Sequence, residues 1–280
     1  MNSIKGYILI TRPVNLVIAF LSIFIGGFVT GTIDPVWKLL LASLSGMIIA
    51  GGANVVNDFF DIEIDRVNKP ERPLPSGLIL PEKALSFSLI LFISGICTAI
   101  FVSTIHLIIA IFCSLLLYLY SYSLKRTVLM GNITVAFVSG MAFIYGSLAT
   151  GNIVNGVIVA VFAFFFHLSR EIIKDVEDIE GDRSQGLVTL PIRYGVRAAY
   201  LVTTFIIAIL IVLTMVPYIL NIFSFAYLLI VSIGVDLFLL YVIFSIWRMP
   251  DTIRLRRVAI FMKLDMVVGL AAVYFGTRHG

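Results

Sequence analysis

Residues 54–66 read N-V-V-N-D-F-F-D-I-E-I-D-R, and residues 171–183 read E-I-I-K-D-V-E-D-I-E-G-D-R. Asp58, Asp61, Asp65 and Arg66 fall in register with Asp175, Asp178, Asp182 and Arg183, so the pattern D-x-x-D-x-x-x-D-R occurs twice, 117 residues apart. Each copy closes an apolar run. Carboxylates beside lipid are costly and mark function. Two such clusters suit a divalent metal held against a highly charged ligand.

The runs around these motifs set the fold class. Hydrophobic residues make up 60% of the chain, charged residues 13%, and mean hydropathy is +1.07, a balance that no ordinary soluble core has. Nothing at the N-terminus reads as a cleavable signal: Met1–Arg12 leads straight into an apolar run. Cys97 and Cys113 lie inside apolar runs and read as small buried hydrophobes. With about 20 apolar residues per crossing, nine spans are expected, at 14–31, 37–57, 84–102, 105–123, 131–149, 154–174, 198–216, 222–246 and 258–276. Thr30-Gly31, the 70–81 segment, Gly131-Asn132, Gly151-Asn152 and Pro217 punctuate them. The expectation is therefore an all-α polytopic membrane protein with nine transmembrane helices around a central cavity.

Charge supports the count and gives it a direction. All of the 20 basic residues except Lys38 and Arg278 fall at the N-terminus or in the loops after even-numbered spans, with their helix edges. The positive-inside rule then places the N-terminus and those loops in the cytoplasm. Twelve of the 16 acids lie in loops 2–3 and 6–7 and their helix ends. Both motifs thus end even-numbered spans on one membrane face. This suggests one domain over 1–280 made of two parallel four-helix repeats, 1–126 and 127–247, with a ninth helix at 258–276; parallel repeats occur in membrane folds.

Read as helix, the first motif stacks Asn57, Asp61 and Asp65 at i, i+4 and i+8, with Asn54 and Asp58 one turn back. The second puts Asp175, Asp178 and Asp182 on one stripe. Like charges so spaced weaken a helix unless something neutralises them. Carboxylate and amide oxygens suit Mg²⁺, which commonly bridges a few carboxylates to substrate phosphates. Arg66, Arg72, Lys125, Arg126, Lys174 and Arg183 are the cations placed to hold the remaining phosphate oxygens. Glu63, Glu177 and Glu180 fall off the stripes and read as surface residues.

At this point the residues resemble a family. N-D-F-F-D-I-E-I-D-R-V-N-K-P-E-R-P-L-P-S-G at 57–77 is similar to the first signature of the UbiA-type intramembrane prenyltransferases. R-E-I-I-K-D-V-E-D-I-E-G-D at 170–182, with T-L-P-I-R-Y-G at 189–195, is similar to the second. Arg12-Pro13 with Asn15, and Y-S-Y-S-L-K-R at 120–126, also look like that family. The resemblance covers nearly the whole chain. It implies nine helices around a lipid-accessible cavity capped by the two acidic loops, and Mg²⁺-dependent prenyl transfer from a prenyl diphosphate. On that basis Asn57, Asp58, Asp61, Asp65, Asp175, Asp178 and Asp182 are the expected metal ligands. Asp61, Asp65, Asp175, Asp178, Asp182 and Lys125 are the expected catalytic groups. Arg12, Asn54, Arg66, Arg72, Tyr122, Arg126 and Lys174 are the expected substrate contacts, and Tyr120 or Tyr122 the aromatic face for an allylic cation.

The loops look most like the archaeal digeranylgeranylglyceryl phosphate synthases within that family. This implies geranylgeranylglyceryl phosphate as the lipid-phosphate acceptor, a second ether bond as the product, and a multi-pass plasma-membrane location with a cytoplasmic site and no nucleic-acid partner. The acceptor phosphate would need cations of its own, from Arg12, Arg193, Arg197 or the 254–257 group. Two alternatives stay open: the same fold with an aromatic acceptor of quinone biosynthesis, and a cation or phosphate transporter. His167, four and eight residues before Glu171 and Asp175, is a candidate base. Asp236 lies deep in span 8 without a named partner, and Asp265 is expected to pair with Lys263 or line the cavity rim.

Overall fold

The computed structural model describes residues 2–151, 153–184, 186–248 and 251–277; Asn152, Arg278 and His279 lie outside the described residues. The elements in chain order are α1 (Asn2–Ile10), α2 (Pro13–Phe28), α3 (Val36–Phe60), α4 (Ile62–Asn68), α5 (Pro81–Ile100) and α6 (Thr104–Tyr122). They continue with α7 (Met130–Thr150), α8 (Val154–Glu177), α9 (Ile179–Ser184), α10 (Leu190–Tyr194), α11 (Val196–Ile219), α12 (Phe225–Ile230), α13 (Leu237–Arg248) and α14 (Thr252–Gly276). A 3₁₀ turn spans Leu124–Arg126, and a π-helical stretch, Val231–Asp236, joins α12 to α13. No strand forms among the described residues. Among the described residues eight helical stretches, one of them α12 through α13, are long and apolar enough to cross a bilayer, and α1 with α2, bent by 49°, makes a ninth if the pair is one span.

The expected span 14–31 is α2, Pro13–Phe28, and a further helix, α1, precedes it across a bend at Arg12. Arg12 precedes Pro13, whose ring clashes with a helical conformation at the residue before it. Arg12 leaves the right-handed helical region, taking the left-handed φ of 56°, and a new helix starts at Pro13. Pro217, expected as punctuation, lies inside α11 two residues before its last residue, Ile219. Cys113 is buried as expected, whereas Cys97 is exposed on the outside of α5.

Helix packing is closest between α2 and α7. A Cβ on Gly26 would run into the Phe143 backbone, and one on Gly146 would run into the Ile23 carbonyl. Small residues that let backbones touch are a recurrent device of membrane helix pairs, where no hydrophobic drive separates protein from lipid. The largest buried cluster joins α7, α8 and α11 to α14, and a smaller one joins α3, α5 and α6.

Six helices, α2, α3, α6, α7, α8 and α14, surround one cavity of about 690 Å³. On α3 the lining residues Gly46, Ile49, Ala50, Ala53, Asn54 and Asn57 form a single helical stripe, small in its depth and polar at its mouth. On α8 the stripe is His167, Arg170, Glu171, Lys174, Glu177 and Asp178. The first motif therefore reaches the cavity through Asn54 and Asn57 and the second through Asp178, while Asp58, Asp61, Asp65, Asp175 and Asp182 stand behind this lining.

Candidate active site

The two motifs share one backbone device. Each long helix stops at an aspartate with nearly the same dihedrals, Asp61 at φ −98°, ψ 8° and Asp178 at φ −94°, ψ 9°. A short helix follows each. The turn-to-turn bonds survive the break. Asp61 N–H donates to the Asn57 carbonyl at 3.0 Å, and Asp65 N–H to that of Asp61 at 2.8 Å. Asp178 N–H donates to the Lys174 carbonyl at 2.9 Å, and Asp182 N–H to that of Asp178 at 3.0 Å. A single helical stripe is thus kinked rather than lost.

The first motif is closely neutralised. Arg12, held in its left-handed bend, pairs with the buried Asp58. That conformation strains a non-glycine residue by about 1 kcal/mol or more, and the ion pair fixes it. Arg72 lies 2.6 Å from Asp65 and 3.3 Å from Asp58. Lys125, on the 3₁₀ turn, pairs with Asp61. The Asn57 amide donates to Asp61 at 2.9 Å, and that of Asn54 donates to the Thr11 carbonyl at 2.9 Å, tying α3 to the α1–α2 bend. Burial lowers the affinity of Lys125 for its proton despite Asp61. Burial also lifts the Asp65 carboxyl, against the pull of Arg72. Arg72 loses hydration, yet Asp58 and Asp65 hold its proton more tightly than usual.

The second motif is poorly neutralised. Asp178 meets Lys69 at 3.5 Å. Asp175 turns away from the cavity stripe to accept from Asn132 of α7 at 2.9 Å. Asp182, buried, has no ion pair among the described residues. Its carboxyl is pushed up to about 7, by burial first and then by the neighbouring charges of Asp178 and Asp61. The Asp61–Asp182 interaction brings the two motifs into one electrostatic unit, and the Lys69–Asp178 pair bridges them.

Several expected contacts lie elsewhere. Arg66 is 60% exposed and pairs with Glu63 at 2.8 Å, because α4 carries it to the outer face after the kink. Arg126 and Arg183 are exposed. Lys174 reaches the cavity but is paired with Glu171 at 2.8 Å. Tyr122 points outward and packs edge-on against Phe60. Tyr120 takes the position expected of it, lining the cavity within electrostatic reach of Asp61, Asp175 and Glu171. Glu177 is half-buried and lines the cavity, contrary to the surface reading. His167 lines the cavity as well. Asp236 receives the Thr214 hydroxyl at 3.2 Å. Asp265 is buried with one oxygen unpartnered and makes no ion pair with Lys263.

Sequence reasoning missed Lys69, Asn132, Arg170 and Glu171. Lys69 sits inside the first motif's own loop, so its presence was visible. Its partner Asp178 is more than a hundred residues away, and no local period encodes that pairing.

Among the described residues no three acidic, His or Cys side chains already gather round a common point; arginine and lysine stand between the acids. The donor set nevertheless fits a hard cation: every candidate ligand offers oxygen, and the buried Asn57 Oδ1 has no hydrogen-bond partner.

Residues 16–264 match the model of the UbiA prenyltransferase family. A digeranylgeranylglyceryl phosphate synthase of Methanosphaera stadtmanae is 37% identical, over 96% of this chain and 98% of its own length. One from Methanocaldococcus jannaschii is 35% identical over 99% and 97%. A solved structure of a digeranylgeranylglyceryl phosphate synthase superimposes with a TM-score of 0.79 at 35% identity, covering 99% of both chains. A UbiA homolog from Archaeoglobus fulgidus, solved with GPP and Mg²⁺, shares the fold at 22% identity and a TM-score of 0.72, over 96% of this chain and 99% of its own. With a family match over most of its length and full-length relatives at 35–37% identity, the chain belongs to the UbiA prenyltransferase family and is a membrane prenyltransferase.

Proposed function

We propose that this enzyme transfers a geranylgeranyl group from geranylgeranyl diphosphate to geranylgeranylglyceryl phosphate, with Mg²⁺, and so forms the second ether bond of an archaeal membrane lipid. The observation that carries this reading is the junction of both motifs over one chamber, polar at the mouth and apolar in its depth. The full-length likeness to synthases of that name supports the choice of acceptor.

The chain's own groups divide the work. The apolar depth, with Ile49, Ile109 and Leu117, would take the isoprenoid chain at about 0.8 kcal/mol per buried CH₂. Arg12, Arg72, Lys125 and Lys69 now neutralise motif carboxylates. They are positioned to turn to diphosphate oxygens once a stronger cation takes the acids. Asn57, Asp58, Asp61, Asp65, Asp175, Asp178 and Asp182 are the residues that would hold Mg²⁺. Bound there, the metal would supply charge stabilisation for the leaving diphosphate. Tyr120 presents an aromatic face at the boundary between charged mouth and apolar depth, where an allylic cation would rest. The apolar lining of the depth disfavours water that would compete with the acceptor hydroxyl.

The distribution of basic residues supports a cytoplasmic N-terminus and site mouth in the plasma membrane. The matching kinks at Asp61 and Asp178 support one domain of two parallel four-helix repeats with an added helix. The test is product mass spectrometry of purified enzyme with geranylgeranyl diphosphate, with and without Mg²⁺, offering the lipid phosphate and an aromatic acid acceptor side by side. The expected product is the doubly prenylated glyceryl phosphate, formed only with metal. A prenylated aromatic product, or vesicles that take up metal ions without any transfer, would overturn the reading.

A further inference from the structure

The cavity has two unlike walls. The acids of both motifs gather at the ends of α3 and α8. The face that α14 turns to the cavity is Arg256, Ala259, Ile260, Lys263 and Met266, a stripe with two cations and no acid. Lys263 lies ten residues into a membrane-spanning helix, half-buried. Among the described residues neither Lys263 nor Arg256 is in ion-pair contact with a carboxylate. Of the two acids nearby in sequence, Asp265 is buried away from the cavity and Asp251 caps α14, accepting from the Arg254 N–H at 2.6 Å. Arg170 of α8 adjoins this wall, its Nε donating to the Ala259 carbonyl at 3.4 Å while its Nη1 pairs with Glu171 at 2.8 Å. Arg12, Arg170 and Lys174 lie close enough to Lys263 to repel its charge. Those three cations are themselves paired with Asp58 and Glu171, whereas Lys263 has no ion-pair partner among the described residues, and an unpaired ammonium at this depth is unfavourable unless an anion arrives.

The same wall borders the bilayer. Val14 on α2 and Ile260 on α14 both line the cavity, and both are more than half exposed on the lipid-facing surface. The chamber therefore opens sideways between α2 and α14, with Lys263 one turn from Ile260 on the same stripe.

We propose that Lys263 and Arg256, with Arg170, form a second anion subsite that receives the phosphate monoester of the lipid acceptor, separate from the aspartate motifs that face the diphosphate. This rests on the activity proposed above. Two substrates of like charge need separate niches. A phosphate monoester that enters from the bilayer meets the acid-free wall first. There it is drawn by charge-assisted contacts without having to share the metal. Lys263 and Arg256 act on acceptor choice: they secure the phosphate, and through it the glycerol hydroxyl, at the chamber's open side.

The test compares wild-type enzyme with Lys263→Gln, Arg256→Gln and the charge-keeping Lys263→Arg, using geranylgeranylglyceryl phosphate and its dephosphorylated alcohol as acceptors. In Lys263→Gln the KM for the phosphorylated acceptor rises roughly tenfold or more, and the KM for the prenyl diphosphate changes less than about twofold. Preference for phosphate over alcohol falls by the same factor, and Lys263→Arg restores most of it. Binding of tritiated geranylgeranylglyceryl phosphate to the detergent-purified variants, with no prenyl diphosphate present, falls in parallel and reads the subsite apart from turnover. A rise in the prenyl diphosphate KM instead, or equal losses on acceptor and alcohol with unchanged lipid binding, overturns the subsite. A wild-type enzyme that prenylates no glycerolipid overturns the activity reading. In that case tritiated lipid that still binds to wild type and not to Lys263→Gln upholds the subsite on its own.

Discussion

The two aspartate motifs have one backbone and two electrostatic states. Around the first, Arg12, Arg72 and Lys125 answer Asp58, Asp65 and Asp61. Around the second, one lysine at 3.5 Å and one amide serve three carboxylates. The difference is one of neighbours, since the kinks at Asp61 and Asp178 are nearly superimposable in φ and ψ. The first motif is built to be stable by itself and must exchange partners to bind a metal. The second is short of positive charge, and that is where an added cation gains most.

The most severe way to break the comparison is to remove the kink aspartates. Asp61→Ala and Asp178→Ala should each lower turnover by at least about a hundredfold, while the protein still extracts and purifies in detergent; near-wild-type rates in either would sink the metal assignment. Next comes Arg72→Ala, which strips two buried carboxylates of their shared guanidinium. Loss of one partner of a buried pair costs about 3–5 kcal/mol, so thermal unfolding should shift strongly downward. Lys69→Ala, breaking a looser and partly exposed pair, should cost about 1 kcal/mol or less.

A pH series sharpens the same contrast. Asp182 holds its proton up to about pH 7 in the folded protein, well above an unfolded aspartate near 3.9. Between those values the folded state binds more protons than the unfolded one, so metal-free stability falls as pH rises through that window and levels off above it. Mg²⁺ competes with that proton. Its stabilising effect should therefore weaken as pH drops below about 7, approaching tenfold in affinity per unit for one proton. Asp182→Asn should flatten the metal-free curve. The smallest change is expected from Arg66→Ala, an exposed residue paired only with exposed Glu63. Its melting temperature should stay within the roughly 0.5 kcal/mol typical of surface substitutions, and its rate should hold.

Much of this was legible in the chain. Apolar length gave the crossings, because a bilayer admits few other solutions. The paired motifs marked the two helix ends that the fold brings to one cavity. What periodicity could not supply was direction after a kink. It assumes one helix axis, and α4 swings Arg66 outward at the point where the stripe bends. It also could not choose between Tyr120 and Tyr122, two residues apart on a helix and so on different faces. Asn132 and Lys69 find their aspartates across the fold, and Asp236 finds Thr214 on another crossing. Such pairings belong to tertiary structure alone.

The seam between α2 and α7 has its own consequence. With glycine backbones in contact there, α2 is pinned along one flank, and at its far end Phe28 stacks on Tyr274 of α14, ring centres 4.3 Å apart. Its free edge is the stretch near Val14, where the chamber meets lipid. On the substrates proposed above, an isoprenoid tail slides in laterally at membrane depth and never passes through water, so the catalytic cycle is spared the extraction work that a soluble enzyme acting on the same greasy molecules would face at every turnover.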